Sequence, residues 1–249
     1  MRIAALCDIH GNLPALEAVL DEVRAAGVDA IVVGGDVLPG PMPAECLAAL
    51  AALACPVHYL RGNGDRVSLA ARRGEDVSGE VPAAFVEAVR WSGTAISEAA
   101  AARLDAWPAT VTLTVHGLGE VLFCHATPRS DVEIITRLTT AERLAPAFAG
   151  VEAAVVVCGH THMPFDRTVN GLRVVNAGSV GMPFGRPGAD WLLLGPDVTP
   201  RHTAYDLAAA AARVRASAYP QREAFAAGSI LAPPSDEDML KAFAAAELK

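Results

Sequence analysis

Five times in this chain a short polar stretch follows an apolar run: Asp8-Ile-His10, Gly35-Asp36, Gly62-Asn63, His125 and Gly159-His160-Thr161-His162. Each apolar run reads as a buried strand, so each polar stretch stands at a strand end. A fold that lines up those ends brings four His, two Asp and one Asn to one edge of a sheet. Taken singly, Asp8 reads as a cap, Asp36 and Asn63 as turn residues and His125 as a core residue. As an ordered set they read as a binuclear metal site.

The apolar runs arrange as alternating strands and helices. Arg2–Cys7, Ala30–Val33 and Val57–Leu60 are strands, separated by a helix that starts near Pro14 and closes at Gly27 and by one near Ala44–Leu53. Pro tolerates a first helical turn and Gly closes a last one. Strand, helix, strand, helix, strand is the pattern of parallel units with right-handed crossovers. Residues 68–107 break it, with charges and glycines followed by helical stretches at Ala83–Val89 and Ser97–Trp107. They read as a helical cap over the site or as a long crossover. Val111–Val115 and Val121–Cys124 form one expected hairpin. Phe165–Val169 and Leu172–Asn176 form another, across Asn170-Gly171, a pair that favours a type I′ turn. A helix near Ala141–Phe148 and a strand at Ala153–Cys158 lie between. Trp191–Leu194 and His202–Tyr205 complete the strands. From Leu207 on, the chain reads as Ala-rich packing helices.

So many strands exceed one simple parallel sheet. Two mixed sheets face to face, flanked by helices, use them all. With 249 residues, 52% hydrophobic and 19% charged, the chain has apolar surface for one large domain over residues 1–249. A net charge of −8 argues against an extended nucleic-acid surface. It leaves room for a small phosphorylated substrate, because bound cations reverse the local field. No apolar run reaches the roughly 18 residues of a membrane span. No leader is read at the N-terminus, and five Cys is an odd count. A cytoplasmic protein with reduced thiols is the expectation.

The ligand set is all nitrogen and oxygen, which suits Mn, Ni, Co, Fe or Zn, with Mn the first expectation, and excludes a thiolate zinc site. Seven side chains exceed one metal and fit two divalent ions if a carboxylate bridges. Asp36 is the natural bridge, since Gly34-Gly35 lets its backbone come close.

The string Asp8-Ile-His10, Gly35-Asp36, Gly62-Asn63-Gly64-Asp65, His125 and Gly159-His160-Thr161-His162 resembles the calcineurin-like metallophosphoesterases. With Gly11-Asn12 and Asn176-Ala-Gly178-Ser179-Val180-Gly181 it is most similar to their small bacterial and archaeal phosphodiesterase branch. The resemblance implies an α/β fold, a four-layer αββα sandwich. It implies one metal on Asp8, His10, Asp36 and His162 and a second on Asp36, Asn63, His125 and His160. A bridging hydroxide would then attack phosphorus, making Asp36, Asn63 and His125 catalytic. Asn12, before the first helix, and Arg129, after His125, are the expected substrate contacts beside Asn63. Members of this family are often dimers or larger, so a homo-oligomer is an expected assembly.

The chain departs from the wider family at position 64. There the family commonly carries a His that protonates the leaving group, and Gly64 can donate nothing from a side chain. A positioned acid is worth roughly 10²–10⁴ in rate. Diesters and activated esters are therefore the expected substrates. A nucleotidase, a dinucleoside polyphosphate hydrolase, a protein phosphatase and a non-catalytic scaffold like the retromer subunit are the alternatives.

Overall fold

The computed structural model describes residues 1–248. The first part of the chain carries β1 (Ile3–Leu6), α1 (Leu13–Ala26), β2 (Ala30–Val33), α2 (Pro43–Ala51), β3 (Val57–Tyr59), α3 (Asn63–Arg72), α4 (Val86–Thr94) and α5 (Glu98–Asp105). Then come β4 (Thr110–Val115), β5 (Gly119–Cys124), α6 (Ala141–Leu144), β6 (Val155–Cys158), β7 (Phe165–Val169) and β8 (Leu172–Asn176). β9 (Ala189–Leu194), β10 (Val198–Thr203), α7 (Leu207–Arg215), α8 (Arg222–Phe225) and α9 (Asp236–Ala244) complete it.

The strands form two five-stranded sheets, ordered β10-β9-β1-β2-β3 and β4-β5-β6-β8-β7. In the first, β1, β2 and β3 are parallel while β9 and β10 run antiparallel. In the second, β5, β6 and β8 are parallel between antiparallel edges. Pro200 sits in β10 at a sheet edge, where a missing N–H is tolerated.

Side chains alternate between two cores, as strand geometry requires. Ile3, Ala5 and Cys7 face Phe123, Val155, Val157 and Val175 of the other sheet. Ala4, Leu6, Ile31 and Val33 face Leu16, Val19 and Leu20 of α1. Cys124, Val156, Cys158 and Val174 pack outward against Leu144 and Phe148. Helix, sheet, sheet and helix are thus four layers, as expected. Both sheets are mixed, and the Asn170-Gly171 hairpin forms with φ of 49° and 87°.

Two local expectations, on Asn63 and on the last strand, need correction. Asn63 does not lie in a loop but begins α3, because Gly62 and Asp65 serve as helix-start residues rather than turn residues. Residues 68–107 connect the two sheets and share the main core through Leu69, Ala88, Ile96 and Leu104. They also hold a small apolar cluster of their own, Val67, Ala71, Val77, Val81 and Val89. The last strand begins at Val198 rather than His202. His202 is half-buried there, with Nδ1 2.7 Å from Asp190 Oδ1. Among the described residues, no helix is long and apolar enough to cross a membrane. All five cysteines are free thiols; Cys7, Cys124 and Cys158 are buried, and burial pushes all three thiols up from their usual pKa.

Candidate metal centre and its cleft

The C-terminal ends of β1, β2, β5 and β6 and the start of α3 converge as the sequence predicts. Asp8, His10 and His162 offer ligand atoms that lie within 4.8 Å of one another, and so do Asp36, His125 and His160. Asp36 faces both groups, with Oδ1 3.5 Å from His125 Nε2 and Oδ2 3.7 Å from His10 Nε2. Asn63 Oδ1 lies 3.0 Å from His125 Nε2. All seven residues expected at the centre are brought together.

The backbone that does this is held in an uncommon conformation. Asp8, His10, Asp36, His160 and His162 all have positive φ, between 47° and 66°. Asp and His tolerate the left-handed region better than most residues, and such outliers gather where function demands them. Neighbouring groups over-determine the loops. Asp8 N–H donates to Gly35 O at 3.1 Å and His10 N–H to Asp36 O at 2.9 Å, extending the β1–β2 pairing past the strands. The Ser179 hydroxyl donates to Asp8 O, and the Asn176 amide to Gly159 O, at 2.7 and 2.6 Å. Glycine is needed at position 159, where a Cβ would stand 2.3 Å from Asp8 Oδ2.

Carbonyl oxygens fix the imidazole tautomers. Nδ1 of His10, His125 and His162 faces the carbonyls of Pro39, Gly34 and Met182 at 3.1, 2.9 and 2.9 Å. A carbonyl only accepts, so Nδ1 carries the proton and Nε2 presents its lone pair to the centre. His160 is reversed: Nε2 faces Val132 O at 3.2 Å, which leaves Nδ1 as its available nitrogen. His10 Nε2 and His162 Nε2 then stand 3.2 Å apart, lone pair toward lone pair. Asp8 Oδ1 is buried with no hydrogen-bond partner, 3.4 Å from His162 Nε2. A cation between these atoms resolves both conflicts, so the residues fit a divalent metal.

The electrostatics agree. Burial opposes ionisation of Asp36, but the charge and hydrogen bond of His125 outweigh it and hold its carboxyl below the usual range. Burial also opposes charge on His125, and Asp36 outweighs it, lifting the imidazole to about 10. His160 is pushed down to about 4 by burial and then by the charge of His125. The carboxylates thus favour positive charge beside His125, while burial and His125 disfavour it on His160.

Residues 1–195 match the calcineurin-like phosphoesterase superfamily domain. The chain belongs to the calcineurin-like phosphoesterase superfamily. This phosphoesterase is 28% identical over 182 residues to an uncharacterised protein of Methanocaldococcus jannaschii, covering 72% of this chain and 69% of that one. A metallophosphoesterase from Sphaerobacter thermophilus is similar in structure, with TM-score 0.69 and 27% identity over 91% of this chain and 97% of that one. A hypothetical protein from Pyrococcus horikoshii shares the fold, with TM-score 0.77 and 20% identity over 94% of this chain and 99% of that one.

Two expected substrate contacts have partners within the fold. Asn12 is fully buried; its Oδ1 caps α1 at Ala15 N, and its amide donates to Gly181 O at 2.8 Å. The α1 amides likewise have partners within the fold, since Asn12 N–H donates to Ile9 O, Leu13 N–H to Gly11 O and Leu16 N–H to Asn12 O. The Arg129 guanidinium is held by Glu133 and, at 3.2 Å, by Pro146 O, so it serves its own loop.

Position 64 is closed by the backbone. A Cβ on Gly64 would lie 2.5 Å from Leu38 O and 2.9 Å from Asp36 Oδ2. Its N–H donates to Asp36 Oδ1 at 2.7 Å. Asp65, the next residue, accepts from Asp36 N, Leu38 N and Gly62 N at 2.8, 2.9 and 3.1 Å. Burial and then the charge of Asp36 push Asp65 up to about 7, against two of those bonds. Asp65 therefore ties the Asp36 loop to the start of α3, a role its sequence position beside Asn63 did not reveal.

Above the centre lies a cleft of about 500 Å³. His10, Asp36, Asn63, His160 and His162 form its floor, while Phe85, Met182, Tyr219, Phe225 and Ser229 stand around it. Phe85 belongs to the 68–107 stretch, read as a cap or a crossover; sequence reasoning missed Tyr219, Phe225 and Ser229, which come from the C-terminal segment expected only to pack, where Ala, Gly and aromatic residues carry no chemical signature.

Proposed function

We propose that the protein is a metal-dependent phosphodiesterase, acting through two divalent ions on small, nucleotide-like phosphoesters. The observation that carries the reading is Gly64, seated under Leu38 O with no room for a side chain, beside a ligand set with all seven members in place. Asp8, His10 and His162 would hold one ion, Asp36, Asn63, His125 and His160 the other, with Asp36 shared. Mn is the first candidate among the transition metals that such N/O sites take. Bound there, the ions would supply Lewis-acid activation of water and of the phosphoryl oxygen.

The chain's own groups do the rest. Asp36 sets the spacing of the two groups, and the carbonyls behind His10, His125 and His162 keep each Nε2 aimed inward. Asn63 Oδ1 crosses from α3 to the His125 side of the floor. No side chain at position 64 protonates a departing oxygen, so the leaving group departs as an anion. That favours aryl and other stable leaving groups over the alkoxide of a serine or sugar monoester. A scaffold would have little use for a complete ligand set. The free thiols suit a reducing cytoplasm.

The test strips the protein with a chelator and restores Mn²⁺, Ni²⁺, Co²⁺, Zn²⁺ or Mg²⁺ singly. Bis-p-nitrophenyl phosphate is then compared with p-nitrophenyl phosphate and a phosphoserine peptide. Metal-dependent diester turnover well above both monoesters is the expected result. Phosphoserine turnover equal to diester turnover would sink the reading.

A further inference from the structure

The cleft wall carries information that the metal floor does not. No lysine or arginine lines the cleft among the described residues. Above the ligand residues the lining is apolar or neutral: Phe85, Met182, Ala224, Phe225, Gly228 and Ser229. Phe85 is half exposed, a large aromatic ring left open at this site. It is set against the C-terminal wall by a hydrogen bond from the Gln221 amide to Ala84 O, 2.5 Å long. Tyr219 and Phe225 are buried behind, ring edge to ring face at 6.1 Å, and Tyr219 meets Trp91 at 5.5 Å. Ala226–Leu231 is a wide π-helical turn, a form frequent at functional sites. It presents Gly228, where a Cβ would meet nothing within 4 Å.

A second phosphate finds no cationic partner here. A flat apolar group finds the exposed Phe85 ring and the small residues Ala224 and Gly228 lining one cleft. We propose that the cleft seats the non-leaving ester group of a singly charged phosphodiester, and that this group is aromatic or apolar, a nucleobase or a simple aryl ring. It packs against Phe85 and the Ala224–Gly228 wall. Polyphosphates are selected against, because nothing beyond the metal-ligand floor pairs their additional charge. The inference rests on the phosphodiesterase reading and deepens it.

The experiment compares bis-p-nitrophenyl phosphate with methyl p-nitrophenyl phosphate, which share a leaving group and differ in the other ester group. It uses the full-length, metal-restored protein. The wild type shows the lower KM for the bis-aryl ester. Phe85→Ala removes the ring, and Gly228→Trp fills the open space before Gly228. Each raises the bis-aryl KM relative to the methyl-aryl KM by about ten-fold, the size of one lost aromatic contact. Should the Trp variant not fold, Phe85→Ala carries the test, since its ring lies at the exposed rim. A wild type that does not distinguish the two esters overturns the proposal, as does a KM ratio that survives in the folded variants. In either case diester turnover itself leaves the phosphodiesterase reading standing. Monoester turnover with no turnover of either diester removes that reading and this inference together.

Discussion

The floor of the cleft is built from loops at strand ends, held by hydrogen bonds and close glycine contacts. Its wall is built from short helices whose inner surface is alanine, glycine and aromatic rings. In the floor, Asp65 alone fixes three backbone N–H groups, and five ligand residues keep positive φ. Shifting one loop there disturbs both ligand groups, because Asp36 faces both. In the wall, Gly228 has open space before it and Ala224 is exposed. A side chain can change there without meeting a neighbour's backbone. On the proposed reading, the floor would determine which bond can be broken and the wall whose bond it is.

Substitutions separate the two regions. The largest effect falls on Asp36→Asn. It removes the shared carboxylate, and metal-dependent diester turnover should fall by well over the roughly 100-fold that loss of an outer partner costs. A steady-state assay across metal concentrations checks it; turnover within ten-fold of wild type would show that the groups do not depend on Asp36.

Next comes Gly64→His, which supplies the acid that the wider family uses. Here its Cβ meets Leu38 O and Asp36, so overpacking of about 1–3 kcal/mol is expected instead of a gain. Melting temperature and Mn²⁺ affinity both drop. Raised monoester turnover at unchanged affinity would break the account of position 64.

Asn12→Ala loses a helix cap, worth about 1 kcal/mol, and leaves Gly181 O without its donor. The melting temperature falls while the KM for a diester at saturating metal stays put. A raised KM would return Asn12 to the substrate.

Glu133 gives a smaller effect with a definite sign. Burial works to raise its pKa; hydrogen bonds from Arg129 and Thr127 outweigh it and hold it below the ordinary 4.5. Its folded pKa is thus depressed. The stability it adds is present above 4.5 and is lost as pH falls through the folded value. Thermal melts of Glu133→Gln and wild type should differ slightly at pH 7 and converge in acid. A gap that widens in acid contradicts the sign.

Smallest of all is the effect of Phe85→Ala on the floor. Mn²⁺ affinity by calorimetry should match wild type, because the ring touches no ligand group. A loss of metal affinity would mean that wall and floor are one unit.

The floor was legible because its residues recur in order at the ends of apolar runs, and strand geometry turns that order into proximity. The Asn170-Gly171 hairpin and the Gly27 helix end were legible because few residues adopt positive φ readily. The internal partners of Asn12 and Arg129 stayed hidden for one reason. A polar side chain near a site has the same letter whether it meets a ligand or a neighbouring carbonyl, and only the fold places Gly181 O and Glu133 beside them. The start of α3 hid behind Gly62 and Asp65, which signal turns and helix starts alike. The C-terminal part of the wall left no trace, since apolar residues that line a cleft and those that fill a core follow the same helical spacing.

The hydrogen bond between Gln221 and Ala84 joins a residue beyond position 195 to one inside the stretch that defines the superfamily. The wall therefore spans that boundary, with Phe85 and Met182 on one side of it and Tyr219, Phe225 and Ser229 on the other. The segment beyond 195 is no detachable part, since it also gives β10 to the first sheet, Ala210, Val214 and Phe225 to the main core, and Pro234 O as acceptor to Gly185 N. For an engineer, single positions such as Ala224 and Gly228 are where the cleft can be reshaped, while the segment that carries them has to stay.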